Sequence, residues 1–323
     1  MRRACITGGA GFIGSNLADR LTADGVEVVV VDDFRSGRRE FVADLLKQTG
    51  ATLIEGDVAS DAVLDHALAG CDTVFHLQAN ADVRFGFDHP RRDIEQNIAT
   101  TSAVLEAMRR NGVERIVFAS TGSVYGEPAI HPTPESCPFP VQTSLYASSK
   151  VAAEGLISTY AHAFNITGVV LRFVSILGER YTHGHVFDFY RALKRDPTRL
   201  RVLGDGRQEK SYLYIGDCVE GILAALGATP AGTFDVFNLG TDETLVVDDS
   251  VRLICERLDV TPEIEHAGGV RGWPGDSPLI LLDCTKLRAH GWSPRLGIEE
   301  SVLRTLDWFE RNQAVVLDEA VAR

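Results

Sequence analysis

The sequence predicts an α/β protein: a doubly wound parallel sheet over residues 1–178, with a smaller C-terminal α/β lobe over 179–323. Three observations carry this. Short Val- and Ile-rich runs alternate with stretches of helical length, a glycine-rich loop directly follows the first run, and the regularity fades near residue 178. In order, ACIT (4–7), VEVVVVD (26–32), TLIEGDV (52–58), DTVFHL (72–77), RIVFAS (115–120) and ITGVVLRF (166–173) read as strands. Beyond them, TPAGTF and RGWPGDSP mark a turn-rich second lobe, from which some segments are expected to return to the first.

Composition narrows the function. With 323 residues, 45% of them hydrophobic, the chain can bury a large core. No apolar run approaches a bilayer span, and MRRACITGGAGFIG lacks a signal-peptide pattern, so a cytoplasmic protein is expected. The six cysteines are scattered without a close pair, which predicts neither disulfides nor redox chemistry. A formal net charge of −13 opposes nucleic acid or an anionic membrane as partner. An anionic small molecule must therefore meet a local group of Arg or Lys. His183 and His185 flank a glycine, but no third ligand stands at a suitable spacing, so no metal is expected.

The first chemical signal is TGGAGFIGSN. Gly8, Gly11 and Gly14 let the backbone approach a pyrophosphate, and the helix that follows offers its unpaired N–H groups. Asp32 closes the second strand 18 residues after Gly14, where a carboxylate can accept from an adenosine ribose and repel a 2′-phosphate. This favours NAD; Arg35, Arg38 and Arg39 nearby are the features that would suit NADP. Asp57 reads equally as a contact to the adenine edge or as a helix cap.

The second signal is SLYASSK (144–150). Tyr146 and Lys150 lie four positions apart, so on a helix both emerge on one face. Spacing alone fits a solvated helix as well as a catalytic pair.

Taken together, TGGAGFIGSN, GDV (56–58), HLQANADVR (76–84), STGSVYGEP (120–128) and YASSK (146–150) resemble the extended short-chain dehydrogenase/reductases, in their nucleotide-sugar epimerase and dehydratase branch. The resemblance continues through GDGRQEKSYLYIGD (204–217) and RGWPGDSP (271–278). It implies a Rossmann-type sheet that binds NAD and a C-terminal lobe that binds a UDP-sugar. By resemblance, the cofactor's neighbours are Gly8, Gly11, Phe12, Ile13, Gly14, Asp32, Asp33, Phe34, Arg35, Ser36, Gly37, Asp57, Val58, Leu77, Gln78, Ala79, Phe173, Tyr146 and Lys150.

The resemblance further implies that Tyr146 is the catalytic acid/base and Lys150 its activator. An unperturbed phenol titrates near ~10, and a neighbouring ammonium with an oxidised nicotinamide would favour the phenolate. Thr121 and Ser123 precede Tyr125 by four and two residues, and a hydroxyl here bridges the tyrosine and the sugar 4-hydroxyl in similar enzymes; Thr121 has the better offset. Similar 4,6-dehydratases carry an Asp-Glu pair after the threonine, and decarboxylases a glutamate at the second place. Gly122 and Ser123 stand there instead. Oxidation at C4 followed by reduction remains, which suits a 4-epimerase, an isomerase that regenerates its cofactor every turn.

For the sugar, Ser175 replaces the family's usual asparagine in RFVSILGER, as in UDP-glucuronate 4-epimerases, and Arg180 could add charge. UDP-glucuronate is thus the expected substrate, with UDP-glucose or UDP-N-acetylglucosamine as alternatives. Lys210 and Tyr212 fall where relatives have an Arg and an aromatic residue; lysine lacks the bidentate fork. Trp273 replaces the usual arginine three residues before Asp276, which leaves Arg271 as the candidate for the pyrophosphate. Asp276 reads as a uridine-ribose ligand or a turn, and Arg84 as a substrate contact or a surface residue.

Ile94, Ile98, Val104, Leu105 and Met108, with Thr101 in the gap, make a helical stripe that predicts packing on the sheet. Relatives pair this helix and the Tyr146 helix across a two-fold axis, so a homodimer is expected by resemblance. A rival of another class is a regulator that senses NAD without turnover. A sensor has no need of Tyr146, Lys150 and a hydroxyl loop.

Overall fold

β1 (Arg3–Thr7), β2 (Glu27–Asp32), β3 (Thr52–Glu55), β4 (Thr73–His76), β5 (Arg115–Thr121), β6 (Thr167–Phe173) and β7 (Phe234–Leu239) form one sheet in the order β7-β6-β5-β4-β1-β2-β3, every pair parallel. The structure is a computed structural model that describes residues 1–80, 85–139, 141–273 and 275–318. The strands read as continuous apolar runs because both faces of the sheet are covered. Ile6 and Val30 face Leu17 and Leu21 on one side, whereas Cys5, Val29 and Val31 face Leu64, Val104 and Ile157 on the other. The order reverses between β1 and β4, so a crevice opens at their carboxyl ends, where ligands bind in open α/β sheets.

Helices α1 (Phe12–Ala23), α2 (Arg39–Thr49), α3 (Asp61–Leu68), α4 (Thr100–Asn111) and α5 (Leu145–Phe164) cover the faces of the sheet. β7 comes from beyond residue 179 yet pairs with β6, from Phe234 against Gly168 to Leu239 against Phe173. A returning segment is expected from the sequence, but no run there marks Phe234–Leu239 as a strand. The third expected strand ends at Glu55 rather than 58, because Asp57 turns the chain by accepting from the N–H of Ala59 at 2.8 Å.

The stripe expected over 94–108 needs correction. Short helix Pro90–Asp93 runs into a π-helical turn, Ile94–Ala99, before α4 begins. The wider turn rotates the phase ahead of α4, so Asp93 and Asn97 are buried while Ile94 is 54% exposed; from Thr101 on the stripe holds, with Val104, Leu105 and Met108 buried.

The second lobe holds three small sheets: Ser175–Leu177 with Tyr212–Tyr214; Leu245–Val246, Glu209–Lys210 and Leu279–Ile280; and Arg199–Val202 with Glu263–His266. Phe309 anchors its helices against Tyr181, Phe187 and Tyr190. Among the described residues no helix is long and apolar enough to cross a membrane.

Candidate active site

The glycine loop is shaped by sterics at β1's carboxyl end. Gly8 takes a left-handed φ of 69°. A Cβ on Gly14 would stand 2.3 Å from the Gly8 carbonyl oxygen, so only glycine lets α1 begin this close to the strand. Gly11 caps α1 without a side-chain bond, leaving the first-turn N–H groups for a ligand.

Asp32 stands beside this loop, its carboxylate accepting from the N–H groups of Ala10 and Phe34, each at 2.9 Å. Burial raises its pKa against those two bonds. A Cβ on Gly37 would lie 2.5 Å from the same carboxylate, and Arg38 donates its N–H to the Ala10 carbonyl at 2.9 Å, so residues 33–38 curl around the acid. The three arginines that would suit a 2′-phosphate are taken. Arg35 pairs with Asp33 and Asp57, Arg38 with Asp318, and Arg39 with Glu55. Asp57 serves here as a turn cap and as Arg35's partner. Across the crevice, Leu77 donates its N–H to the Thr7 carbonyl, and Gln78 lies against Gly8 with a buried amide oxygen that has no partner among the described residues. Tight glycines, free helix N–H groups, a carboxylate and an orphaned acceptor together fit a dinucleotide such as NAD.

α5 starts at Ser144, whose hydroxyl accepts from the N–H of Ala147 at 3.1 Å. Tyr146 and Lys150 then project onto the end of β5. The Tyr146 phenol shares a hydrogen bond with Thr121; burial and nearby Asp93 raise its pKa well above the usual phenol range, and the bond to Thr121 opposes them. Lys150 is 2% exposed, donates to the Ala119 carbonyl at 2.8 Å, and lies 5.7 Å from the centroid of the Tyr146 ring. Burial lowers its pKa to about 7 against the pull of Glu154 and Asp93. Without a cofactor, therefore, the phenol is neutral, and the expected phenolate waits on a second positive charge. Ser123 stands behind Thr121: its N–H donates to the Thr121 hydroxyl at 3.1 Å, and that hydroxyl donates to Ser123 Oγ at 3.2 Å. A Cβ on Gly122 would lie 3.3 Å from the Phe173 carbonyl oxygen and 3.4 Å from Ile280 and Leu282, a tight fit.

Several supporting residues were not singled out in the sequence. Asn97 donates to Ser149 Oγ at 2.8 Å, which donates to the Tyr146 carbonyl at 2.7 Å; Asn80 bridges Asn97 and Asp93 at 2.9 Å each. The signal was present as polar residues at 93, 97 and 101, four apart, but the π turn hid the phase. His76 lies beneath, its Nε2 3.1 Å from the Thr101 hydroxyl and its Nδ1 2.7 Å from that of Thr7.

Ser175 is the exposed first residue of the strand Ser175–Leu177. Arg180 pairs with Asp19 of α1 through Nη2 at 2.7 Å, while its buried Nη1 has no partner among the described residues. Lys210 pairs with Asp276 at 2.7 Å, and burial lowers the lysine's pKa despite that partner. Arg271 donates to the Asp276 carbonyl at 2.7 Å and pairs with Glu127 at 2.6 Å, while Asp276 also accepts from the Gly272 N–H. Asp276 thus organises its own turn. Tyr212 is buried with its hydroxyl 3.0 Å from His185 Nδ1, and His185 Nε2 lies 2.7 Å from Ser250 Oγ. Arg84 lies outside the described residues.

Known proteins are similar to this chain along nearly its whole length. A profile of the family described as "NAD dependent epimerase/dehydratase family" matches residues 4–240. A UDP-glucose 4-epimerase of Mycolicibacterium smegmatis is 34% identical over 97% of this chain and 99% of its own. A crystal structure of a UDP-galactose 4-epimerase superposes with a TM-score of 0.85 at 37% identity, over 96% of this chain and 99% of that one. A UDP-glucuronic acid 4-epimerase from Bacillus cereus, solved with UDP-glucuronic acid and NAD, gives 0.87 at 26% identity over the same shares.

Proposed function

The chain belongs to the NAD-dependent epimerase/dehydratase family, and from that premise we propose that it interconverts a UDP-hexose and its C4 epimer through a 4-keto sugar. It is an isomerase with NAD as cofactor. The observation that carries the reaction is the Tyr146 phenol joined to Thr121 beside a buried Lys150, at the carboxyl edge next to the glycine loop.

When bound, NAD supplies the oxidant for C4 and then the reductant that restores it. Gly8, Gly11 and Gly14 with the α1 N-terminus would hold its pyrophosphate, Asp32 an adenosine ribose, and Gln78 a hydrogen-bond donor at the crevice. Tyr146 takes the proton of the sugar 4-hydroxyl and returns one to the other epimer. Thr121 fixes the oxygen's place. Lys150 brings the positive charge that makes the phenol acidic, from a site too dry for water to screen it. Gly122 and Ser123 offer neither acid nor base for dehydration.

UDP-glucose with its 4-epimer is one reading, supported by the Mycolicibacterium smegmatis relative. Ser175 favours UDP-glucuronate as a second reading, although Arg180 pairs with Asp19. We further propose a homodimer through the helices of 90–111 and 145–164, where Ile94, Leu145 and Phe164 are exposed; elution at monomer mass would overturn it. To test the reaction, purified protein is incubated with UDP-glucose, UDP-glucuronate and their N-acetyl analogues without added NAD, and the products are resolved. A C4 epimer of one of them supports the reading, and conversion of none defeats it.

A further inference from the structure

Tyr146, Lys150 and Glu154 lie at i, i+4 and i+8 on α5, and each grips one of three consecutive residues of β5. Tyr146 bonds Thr121, Lys150 bonds the Ala119 carbonyl, and Glu154 accepts from Ser120 Oγ at 2.5 Å. The first two rungs are the chemistry itself. The third touches neither the cofactor crevice nor the sugar side, yet it is the most heavily bonded. Glu154 also receives Arg172 bidentately, Nε on Oε1 at 3.1 Å and Nη2 on Oε2 at 2.6 Å, with both side chains 5% exposed. Arg172 Nη1 donates to the Tyr125 hydroxyl at 2.8 Å, just past Thr121, and that hydroxyl donates to Asn238 Oδ1 at 2.8 Å. Asn238 in turn donates to the carbonyls of Thr133 and Asp283, so the polar chain continues from α5 into the second lobe.

A buried ion pair is a poor source of stability, because stripping two charges of water costs about what their attraction returns. Its value lies in fixing one geometry. We infer that Glu154 is a positioning residue: through Ser120 and Arg172 it sets the separation between the hydroxyl-bearing end of β5 and the helix that carries Tyr146 and Lys150. Loosening this rung lets Thr121 drift from the phenol, which removes the hydroxyl that, turned from Ser123, would donate to the phenolate. The inference rests on the proposed role of Tyr146.

The test uses the NAD-loaded protein and two variants. Ser120→Ala cuts the rung and keeps the ion pair; the double variant Glu154→Leu/Arg172→Met replaces the pair by apolar groups of similar volume, avoiding the unpaired charge that would unfold a single one. Two readouts are taken. The first is kcat against KM for the epimerised sugar, expected to fall roughly ten- to a hundredfold in kcat with KM held. The second needs no sugar: the Tyr146 phenol is titrated by ultraviolet difference absorbance against Tyr146→Phe, and is expected to move up by about half a pH unit or more. Among the described residues the groups that face this phenol are Thr121 from β5, Asp93 from Pro90–Asp93, and Lys150 from α5 with His76 of β4 behind it; none of them is replaced, but Glu154's charge raises the Lys150 pKa, so Ser120→Ala, which keeps Glu154 and Arg172, carries the titration and the double variant carries kcat. A titration unchanged in folded Ser120→Ala, or a loss in either variant confined to melting temperature and NAD content, overturns the inference. If wild-type protein epimerises nothing, the proposed reaction falls, and the titration alone still decides for or against Glu154.

Discussion

Lys150 donates to the Ala119 carbonyl at 2.8 Å and holds its ammonium 4.6 Å from the centroid of the Phe118 ring, a dry place for a charge. Burial outweighs Glu154 and Asp93, and its pKa falls to about 7. Unfolded, the same group titrates near ~10.4, so between these values the unfolded chain binds a proton that the folded chain lacks. Stability of the cofactor-free protein therefore gains from this group as pH rises from 7 and loses it as pH falls back. Lys150→Met removes the penalty. At pH 7 it should melt at least ~2 °C above wild type, with the gap closing toward pH 10, while epimerisation falls by roughly a thousandfold. Melts across that range check this, and a gap that does not narrow defeats it.

Thr121 and Ser123 were both candidates for the bridging hydroxyl, and the geometry separates them. Only Thr121 shares a bond with the Tyr146 phenol; Ser123 supports Thr121 from behind through its N–H and Oγ. Thr121→Val should lower kcat roughly a hundredfold. Ser123→Ala loses one neutral hydrogen bond, an effect of about two- to tenfold. Comparable losses in the two variants would reject this order.

What the sequence disclosed follows from how local each feature is. The glycine loop, Asp32 and the Tyr146–Lys150 pair are set within one strand-turn or one helix face, so spacing alone displays them. Glu154 and Arg172 come from α5 and β6, and only pairing of β6 with β5 brings them together. Asp93 and Asn97 were masked by one π turn that shifted the helical phase. That a later segment returns to the sheet is expected from the sequence, but which one is not, because β7 arrives after a long excursion and only its pairing with β6 marks it. Nothing near Arg180 in sequence announces Asp19, 161 positions away, as its partner.

Asp32 carries two tasks that one substitution separates from the arginines. Its carboxylate satisfies the N–H groups of Ala10 and Phe34, and it is the acid presented to the adenosine ribose. Asp32→Ala should cost about 1–3 kcal/mol of stability through those orphaned donors and lower NAD retention at least roughly tenfold. NADP binding should rise little, because Arg35 remains tied to Asp33 and Asp57. Titration with both dinucleotides reads this directly; tight NADP binding by the variant would show that the arginine is available after all.

His76 gives the acid limb of stability. The Thr101 hydroxyl already donates to the Asn97 carbonyl at 2.6 Å, so it must accept from Nε2–H, leaving Nδ1 to accept from Thr7. The ring is thus held as a neutral tautomer, and burial, with the charge of Lys150, pushes its pKa down to about 3. The unfolded ring titrates near ~6.5, so as pH falls below that value the unfolded state gains a proton the fold refuses. Stability should drop by about 1.4 kcal/mol per pH unit for such a group. His185, lowered to about 4 by burial and Lys210, adds a second. Most carboxylates are still ionised between pH 6.5 and 5, which makes that the window to read. His76→Gln, whose amide N–H can still donate to Thr101, should flatten the slope of urea-measured stability by about one proton there. Parallel slopes for variant and wild type would mean that the folded ring takes up its proton as freely as the unfolded one, and the buried tautomer would have to be given up.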